Sequence, residues 1–180
     1  MPKVPESDNL PSQVMQMKWY TCLAANLAAI LNSYGIRTKQ WKDERGLAAM
    51  RNVDDALVTE LYYCLSNSFE RYEESDVLPK LTSLIPPTRT VEAHKDRKSS
   101  FYEWWAAVTD HIKRKSYVLI SYKLPNGDSH IVTAYQVESD VLSVYDPAGG
   151  RRDWEWHQLC EMWDAQPKLL NGDILVVTQA

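Results

Sequence analysis

The stretch QMKWYTCLAAN, residues 16–26, decides how the chain is interpreted, because it places a cysteine where a helix is expected to begin. Thr21 is a residue type that caps helices, and Gly35 stands where a helix would stop. Apolar residues recur between them at helical spacing: Leu23, Leu27, Ile30, Leu31 and Tyr34. The spacing therefore predicts a helix with Cys22 in its first turn.

Two interpretations of Cys22 compete. Cysteine is among the side chains most often buried, so a small core residue is the ordinary expectation. A nucleophilic cysteine needs the thiolate form, which the positive end of a helix and a neighbouring imidazolium both favour. The place of Cys22 after Thr21 supplies the first of these influences. A histidine from elsewhere in the fold must supply the second.

The composition is that of an ordinary soluble domain. The chain has 180 residues, 44% hydrophobic and 24% charged, which suits one domain or two tightly packed lobes. Its formal net charge of -4 argues against a nucleic-acid partner and against binding to an anionic membrane. The short basic runs at 113–115 and 151–152 have acidic residues nearby and are interpreted as solvated faces. No stretch is long and apolar enough to insert into a membrane.

The cysteine count bears on cofactors and compartment. Cys22, Cys64 and Cys160 are an odd number without a CxxC pair, so neither a zinc site nor a disulfide framework is indicated. No metal or other cofactor is expected. A reducing compartment is the default, and the N-terminus lacks a classical signal peptide. The cytoplasm is therefore expected, with export by a route that leaves no such signal kept open.

The first half of the chain is expected to be helical. Residues 1–14 carry three prolines and are interpreted as an extended arm. Leucines at helical spacing predict a second helix over residues 54–66, with Cys64 in its core stripe. Residues 85–100 are polar and proline-marked, which predicts a long loop that joins lobes. His94 falls in that loop and is expected to be solvated.

The second half changes its periodicity. A helix is predicted over residues 101–113, with His111 on its exposed side, and a short amphipathic helix over residues 154–163. β-branched and apolar runs predict the strands, at residues 116–124, 130–137, 141–146 and 172–179. Helices first and an antiparallel sheet later indicate the α+β class.

One hairpin of this sheet is expected to bring a histidine and a carboxylate together. His130 opens a strand just after the turn signal at residues 126–129, and the next strand ends at Asp146, before Pro147. An antiparallel hairpin places the beginning of one strand and the end of its partner at the same edge. The topology therefore suits a carboxylate that orients an imidazole.

Acyl transfer also needs donors that stabilise an oxyanion. The backbone N–H of Cys22 is one candidate, since amides in the first turn of a helix have no helical partner. The side-chain amide of Gln16, six positions upstream, is a second candidate, and Gln13 competes with it. Each feature is weak alone. The order Gln, Cys, His, Asp, with helix and strand contexts to match, predicts nucleophilic cysteine chemistry.

Three stretches resemble papain-like cysteine peptidases: residues 16–35, 116–150 and 154–164. The similarity is to the compact bacterial branch, which includes double-glycine leader peptidases and papain-like effector proteases of plant pathogens. It covers most of the chain from Gln16 onward and is weakest over residues 36–100.

The resemblance implies a role for each candidate residue and an arrangement of lobes. Cys22 would be the nucleophile, His130 the general base and acid, Asp146 the orienting group and Gln16 the oxyanion donor. The fold would be a single papain-like catalytic domain over residues 15–180. The expected parts of that domain are a helical lobe, a linker loop and a sheet lobe, over about 15–84, 85–100 and 101–180.

The chain departs from the family pattern at two points. Leu23 follows the cysteine where family members often have Gly or Trp, which leaves the substrate preference open. Double-glycine peptidases are usually joined to a transporter, and this sequence carries no membrane segment, so leader processing in that setting is not expected.

Four functions remain open from the sequence. The first is a cysteine protease that hydrolyses a peptide or isopeptide bond in a protein or peptide substrate, with a role as bacterial effector or toxin. The second is an acyltransferase or transglutaminase that uses the same acyl-enzyme. The third is an inert papain-like binding module, whose groove would be lined by some of the seven tryptophans. The fourth is a zinc site built from Cys22, His130 and Asp146. The oligomeric state is left open.

Overall fold

The architecture comes from a computed structural model, in which the structure describes residues 11, 22–34, 91–165 and 170–179. The predicted N-terminal arm (apart from Pro11), the helix over residues 54–66 and Cys64 lie outside the described residues. The division into lobes therefore stays a prediction.

Six strands within the described residues form one antiparallel sheet. Its order is β1-β6-β2-β3-β4-β5, and each neighbouring pair is antiparallel. The predicted α+β class is thereby confirmed. The strands are β1 (Val91–Arg97), β2 (Tyr117–Lys123), β3 (Ser129–Glu138), β4 (Val141–Asp146), β5 (Gly150–Glu155) and β6 (Leu170–Gln179).

Three described helices accompany the sheet: α1 (Cys22–Ser33), α2 (Phe101–Lys113) and α3 (Trp156–Asp164). Helix α2 begins where expected, because the Ser100 hydroxyl accepts a hydrogen bond from the Glu103 N–H at 3.3 Å. The glutamate Glu155 caps α3 in a reciprocal pair with Gln158. Helix α3 therefore starts two residues later than predicted.

Helix α1 is buried on nearly every side. Each described side chain from Cys22 to Ile30 is at most 1% exposed, and α1 carries no charged residue. The apolar stripe predicted from the leucines was too narrow, because alanines fill the remaining faces and allow close approach. The consequence is that any polar side chain of α1 must find a partner inside the protein.

The sheet lies between helices on its two faces. Helices α2 and α3 pack on one face, against residues that include Val132 and Ala134 of β3. Strand residues alternate between faces, so Thr133 points to the other side, where α1 contacts β3. Trp104 is fully buried in the α2 face, and the partly buried Trp105, Trp154 and Trp156 pack against the same cluster.

The loop predicted over residues 85–100 is wrong in its second part. Residues 91–97 form β1, an edge strand whose backbone pairs with β6, with His94 opposite Val176. The sequence of this strand, VEAHKDR, lacks the apolar alternation that predicts a strand, because charged residues are tolerated at a sheet edge. His94 therefore lies in a strand and not in a loop.

Two further predictions need correction at the ends of the sheet. Strand β5 was missed, because its polar sequence GRRDWE follows a turn and has only one aromatic residue. His111 is not on the exposed side of α2. It is half-buried, with its Nε2 3.9 Å from Asp96 Oδ2 at the end of β1.

Candidate active site

Cys22 is the first residue of α1, as the sequence predicts. It is buried, so its exposure alone fits a core cysteine as well as a nucleophile. The first turn of a helix leaves its amide N–H groups without helical partners. The surroundings of Cys22 therefore have to distinguish the two interpretations.

The structure brings His130 and Asp146 together. His130 stands at the beginning of β3 and Asp146 is the last residue of β4, so the antiparallel pairing places them at one edge. The turn before His130 has the predicted chemistry, with Gly127 at φ 88°. His130 Nε2 lies 2.8 Å from Asp146 Oδ1, and both residues are buried.

His130 also interacts with Cys22. Burial of the ring by itself lowers the pKa of His130, but hydrogen bonds with Asp146 and with the Cys22 side chain, and the charges of both, outweigh it. Together they raise the pKa of His130 from 6.5 to about 9. The imidazole thus holds a proton at neutral pH, between a carboxylate and a thiol.

Asp146 is enclosed by donors. Its Oδ1 also accepts a hydrogen bond from the Ala148 N–H at 2.8 Å, and its Oδ2 lies 3.0 Å from the Arg152 guanidinium. Burial alone would raise the pKa of Asp146, but the hydrogen bonds from His130 and Ala148 and the charges of His130 and Arg152 lower it. The carboxylate is therefore ionised at neutral pH.

Asn26 connects the helix of Cys22 to the strand of His130. Its Nδ2 donates to the Cys22 carbonyl at 2.7 Å and to the Ile131 carbonyl at 2.9 Å. Its Oδ1 accepts from the Thr133 hydroxyl at 2.6 Å. Every hydrogen-bonding group of this buried amide, apart from one lone pair, is thus used. We refer to Asn26 and Thr133 together as the Asn26 clamp.

Tyr122 covers the imidazole from β2. It is paired in register with His130, and the two rings meet edge to face with centroids 5.6 Å apart. Burial, and next the charge of Asp146, raise the pKa of Tyr122 to about 12. Its phenol therefore stays neutral beside the buried ion pair.

Sequence reasoning missed three residues of this site: Asn26, Tyr122 and Arg152. One signal was available for Asn26, since asparagine is unfavourable inside a helix and stands alone in an apolar segment. Arg152 was interpreted as part of a solvated face, and Tyr122 as an ordinary strand residue. Both interpretations lacked the strand register, which only the fold supplies.

Several predictions about the site concern features other than the three residues Cys22, His130 and Asp146. Gln16, Gln13 and Thr21 are outside the described residues. Within the described ranges, no cluster of three His, Cys, Asp or Glu side chains could hold a metal ion. None of the helices in those ranges combines the length and hydropathy needed to cross a bilayer. The open groove between β1 and α2, lined by Asp96, Glu103 and Asp110 among others, contains none of the three candidate residues Cys22, His130 and Asp146.

Comparisons with known proteins identify the fold. No protein-family model matches the sequence, and no curated protein matches it. The structure is similar to a double-glycine motif protease from an AMS/PCAT transporter, solved with its leader peptide (TM-score 0.52, 16% identity, 96% of this chain and 94% of that one).

Two further structures agree with this likeness. The peptidase domain of Streptococcus ComA, a bifunctional ABC transporter of a quorum-sensing pathway, matches with a TM-score of 0.56 and 12% identity, over 97% of this chain and 98% of that one. A protein assigned as a C39-like peptidase from Bacillus anthracis matches with a TM-score of 0.53 and 16% identity, over 96% of each chain. The chain therefore has the papain-like cysteine peptidase fold.

Proposed function

We propose that this chain is a cysteine peptidase that cleaves a peptide or isopeptide bond through a thioester acyl-enzyme. Cys22 is the nucleophile, His130 the general base and acid, and Asp146 the group that orients His130. One observation carries the proposal. The buried His130–Asp146 hydrogen bond of 2.8 Å, with Cys22 as the next partner of the same ring, is the arrangement that nucleophilic cysteine chemistry needs.

The two ring nitrogens of His130 have different partners in the proposed mechanism. Its Nε2 faces Asp146, which leaves Nδ1 for the thiol of Cys22. The thiolate is the form of a cysteine that attacks a carbonyl carbon, and a protonated imidazole is the kind of neighbour that this chemistry uses. Asp146 has both oxygens engaged, so it holds the ring and does not compete for the substrate.

The reaction then follows in two steps. Attack by the Cys22 sulfur forms a tetrahedral oxyanion, for which the Cys22 N–H and the Gln16 side chain are the proposed donors. The C–N bond breaks as His130 gives its proton to the leaving amine, and a thioester remains. His130 next takes a proton from water, whose oxygen attacks the thioester; the C–S bond breaks, the acid is released, and the Cys22 thiolate and the His130 imidazolium are restored.

A peptide is the proposed class of substrate. The transporter protease with the same fold was solved with its leader peptide, which supports peptide binding as a use of this fold. Leu23 beside the nucleophile differs from the Gly or Trp of the sequence resemblance, so a distinct preference is expected in the cleft. The effector or toxin role stays a prediction of the sequence resemblance alone.

Thiol labelling tests the chemistry without a known substrate. We expect iodoacetamide to alkylate Cys22 in the native protein faster than Cys160, even though Cys22 is the more buried thiol. The His130→Ala change should slow Cys22 and leave Cys160 unaffected. Each cysteine is measured by mass spectrometry across pH. Equal alkylation rates at Cys22 and Cys160 would indicate that Cys22 is an ordinary core residue and would support the inert binding module.

A second experiment separates hydrolysis from acyl transfer. A peptide library is incubated with wild-type protein and with Cys22→Ala, and the products are identified by mass spectrometry with and without added glycine ethyl ester. Free acids in both conditions indicate a peptidase. Amide products that dominate when the amine is present would indicate the acyltransferase or transglutaminase function.

A further inference from the structure

Arg152 lies against the buried carboxylate of the candidate site. Its guanidinium is 3.0 Å from Asp146 Oδ2, while His130 occupies Oδ1 of the same group. The Arg152 side chain is 49% exposed and Asp146 is 1% exposed. A cation at the surface therefore reaches inward to a carboxylate that is otherwise enclosed.

The neighbouring turn leaves room for this contact. The chain reverses after Asp146, and the Gly149 N–H donates to the Asp146 carbonyl at 3.1 Å. A Cβ atom at Gly149 would lie 2.8 Å from a terminal nitrogen of Arg152 and 3.4 Å from its Nε. A side chain at position 149 would therefore crowd the guanidinium, which would have to shift from its place across the turn.

Arg151 provides an internal contrast one residue away. Its guanidinium pairs with Asp153, 3.3 Å away on the same strand, and this carboxylate is 47% exposed, whereas Asp146 is 1% exposed. An exposed pair of this kind contributes little, commonly about 0–1 kcal/mol. Two adjacent arginines therefore have different surroundings, and only Arg152 contacts the site.

We propose that Arg152 is a positioning residue of the site: its guanidinium holds the Asp146 carboxylate with Oδ1 toward His130 and balances part of the carboxylate charge, and Gly149 leaves the guanidinium room for that contact. The inference rests on the proposed function for its catalytic meaning. A carboxylate held at both oxygens cannot rotate away from the imidazole, and a guanidinium offers the directional donors that this needs.

The charged and titratable groups around the imidazole determine whether the pKa of His130 rises or falls when Arg152 is removed. Asp146 on β4, Cys22 on α1 and Tyr122 on β2 surround His130, and Arg152 on β5 lies behind Asp146. A positive charge near an imidazole disfavours the imidazolium. With Asp146 Oδ1 still held by the Ala148 N–H, removal of Arg152 should therefore raise the pKa of His130 further above its ordinary range. Loss of the second anchor should show as faster exchange of the His130 Nε2–H.

The test compares five variants: Arg152→Met, Arg152→Lys, Arg151→Met as the matched control, Gly149→Ala, and the Gly149→Ala/Arg152→Met double variant. Histidine ring NMR, with the signal assigned by His130→Gln, follows the titration midpoint of His130. The same spectra follow the exchange of its Nε2–H with solvent. Iodoacetamide labelling of Cys22 is run on each protein, so that the state of the nucleophile is known independently.

We expect Arg152→Met to raise the His130 midpoint by about half a pH unit, the effect of one partly screened charge at this range. Its Nε2–H should exchange faster. Arg151→Met should match the wild type, and Arg152→Lys, which keeps the charge, should restore the midpoint. Gly149→Ala should shift the midpoint in the same direction, and it should add nothing in the Arg152→Met background.

Identical midpoints and exchange rates in Arg152→Met and Arg151→Met, with Cys22 still rapidly alkylated, would overturn the inference and leave the proposed function intact. So would a Gly149→Ala effect that persists without Arg152. Slow alkylation of Cys22 in the wild type would instead contradict the proposed function itself. The two failures are therefore distinguishable.

Discussion

Two histidine–aspartate pairs with different surroundings lie in the part of the chain that the structure describes. His130 Nε2 and Asp146 Oδ1 lie 2.8 Å apart, with side chains 6% and 1% exposed. His111 Nε2 and Asp96 Oδ2 lie 3.9 Å apart, with side chains 18% and 26% exposed. The same residue types thus form a buried hydrogen bond in one place and a looser, partly solvated contact between α2 and β1 in the other.

The carboxylates account for the difference. Asp146 is held by a backbone N–H, an imidazole and a guanidinium, so its orientation is defined. Asp96 shares its charge with Lys98, a half-exposed side chain 3.1 Å away that water can replace. A histidine near an aspartate is therefore not a site by itself. Burial and fixed partners of the carboxylate distinguish the candidate site from the other pair.

The largest expected effect distinguishes the two aspartates. Asp146→Asn keeps the size of the side chain but removes the charge that stabilises the His130 imidazolium. We expect peptide cleavage to fall by about 10²- to 10⁴-fold, as loss of an orienting carboxylate does in comparable triads. Asp96→Asn should leave the rate within about twofold, the size expected for a surface change. Rates are measured on whichever library peptide the wild type cleaves.

Circular dichroism of both variants checks that the fold is retained. A folded Asp146→Asn protein with the wild-type rate would remove Asp146 from the mechanism. A large loss in Asp96→Asn would mean that the looser pair also contributes to function, and the comparison would fail.

The local part of the site was predictable from the sequence. His130 and Asp146 are sixteen positions apart, and an Asn-Gly turn together with a strand-ending Asp-Pro is enough to pair them. The helix start at Cys22 followed from the capping residue type of Thr21 and from apolar spacing. These features could be predicted because the residues involved are close in sequence and the turn signals are strong. The α+β class could be predicted because the strands of the second half are also joined by short turns.

The long-range part was not predictable. Asn26 and Thr133 are hydrogen-bonded although they are 107 positions apart, and no pattern in either segment predicts this contact. Arg152 differs from Arg151 only through strand alternation in β5, a strand that the sequence did not reveal. Strand β1 was mistaken for a loop because an edge strand needs no apolar run. These features depend on register, which tertiary packing decides.

The next effect is a pH dependence of stability that only one histidine should cause. The pKa of His130 in the folded protein, about 9, lies above its ordinary value of 6.5. The stabilisation is therefore fully present below about pH 6.5 and is lost as the pH rises through about 9. It amounts to about 3 kcal/mol at most.

Urea unfolding from pH 6 to pH 10 measures this term. His130→Gln should flatten the curve between pH 6.5 and 9 relative to the wild type, because the group that titrates is gone. His111→Gln should retain the wild-type slope. A slope that survives in His130→Gln would show that another group carries the dependence.

The smallest expected effect concerns the Asn26 clamp, which lies beside His130 and has no role at the looser His111–Asp96 pair. Thr133→Val keeps the shape of the side chain and removes the hydroxyl that donates to Asn26 Oδ1. Because a buried acceptor is then left without its donor, we expect a loss of about 1–3 kcal/mol in the free energy of unfolding. The matched control is Thr178→Val, which removes the partner of Ser116, 2.7 Å away and remote from the candidate site.

The two variants should differ in reactivity more than in stability. Thr178→Val weakens β6 against its neighbour, but it leaves the contacts of Asn26 with the Cys22 and Ile131 carbonyls in place. Thr133→Val loosens the amide that joins the nucleophile's helix to the strand of His130. Alkylation of Cys22 should therefore slow in Thr133→Val and stay normal in Thr178→Val at equal folded fraction. Equal alkylation in both would mean that the clamp stabilises the fold without aligning the pair.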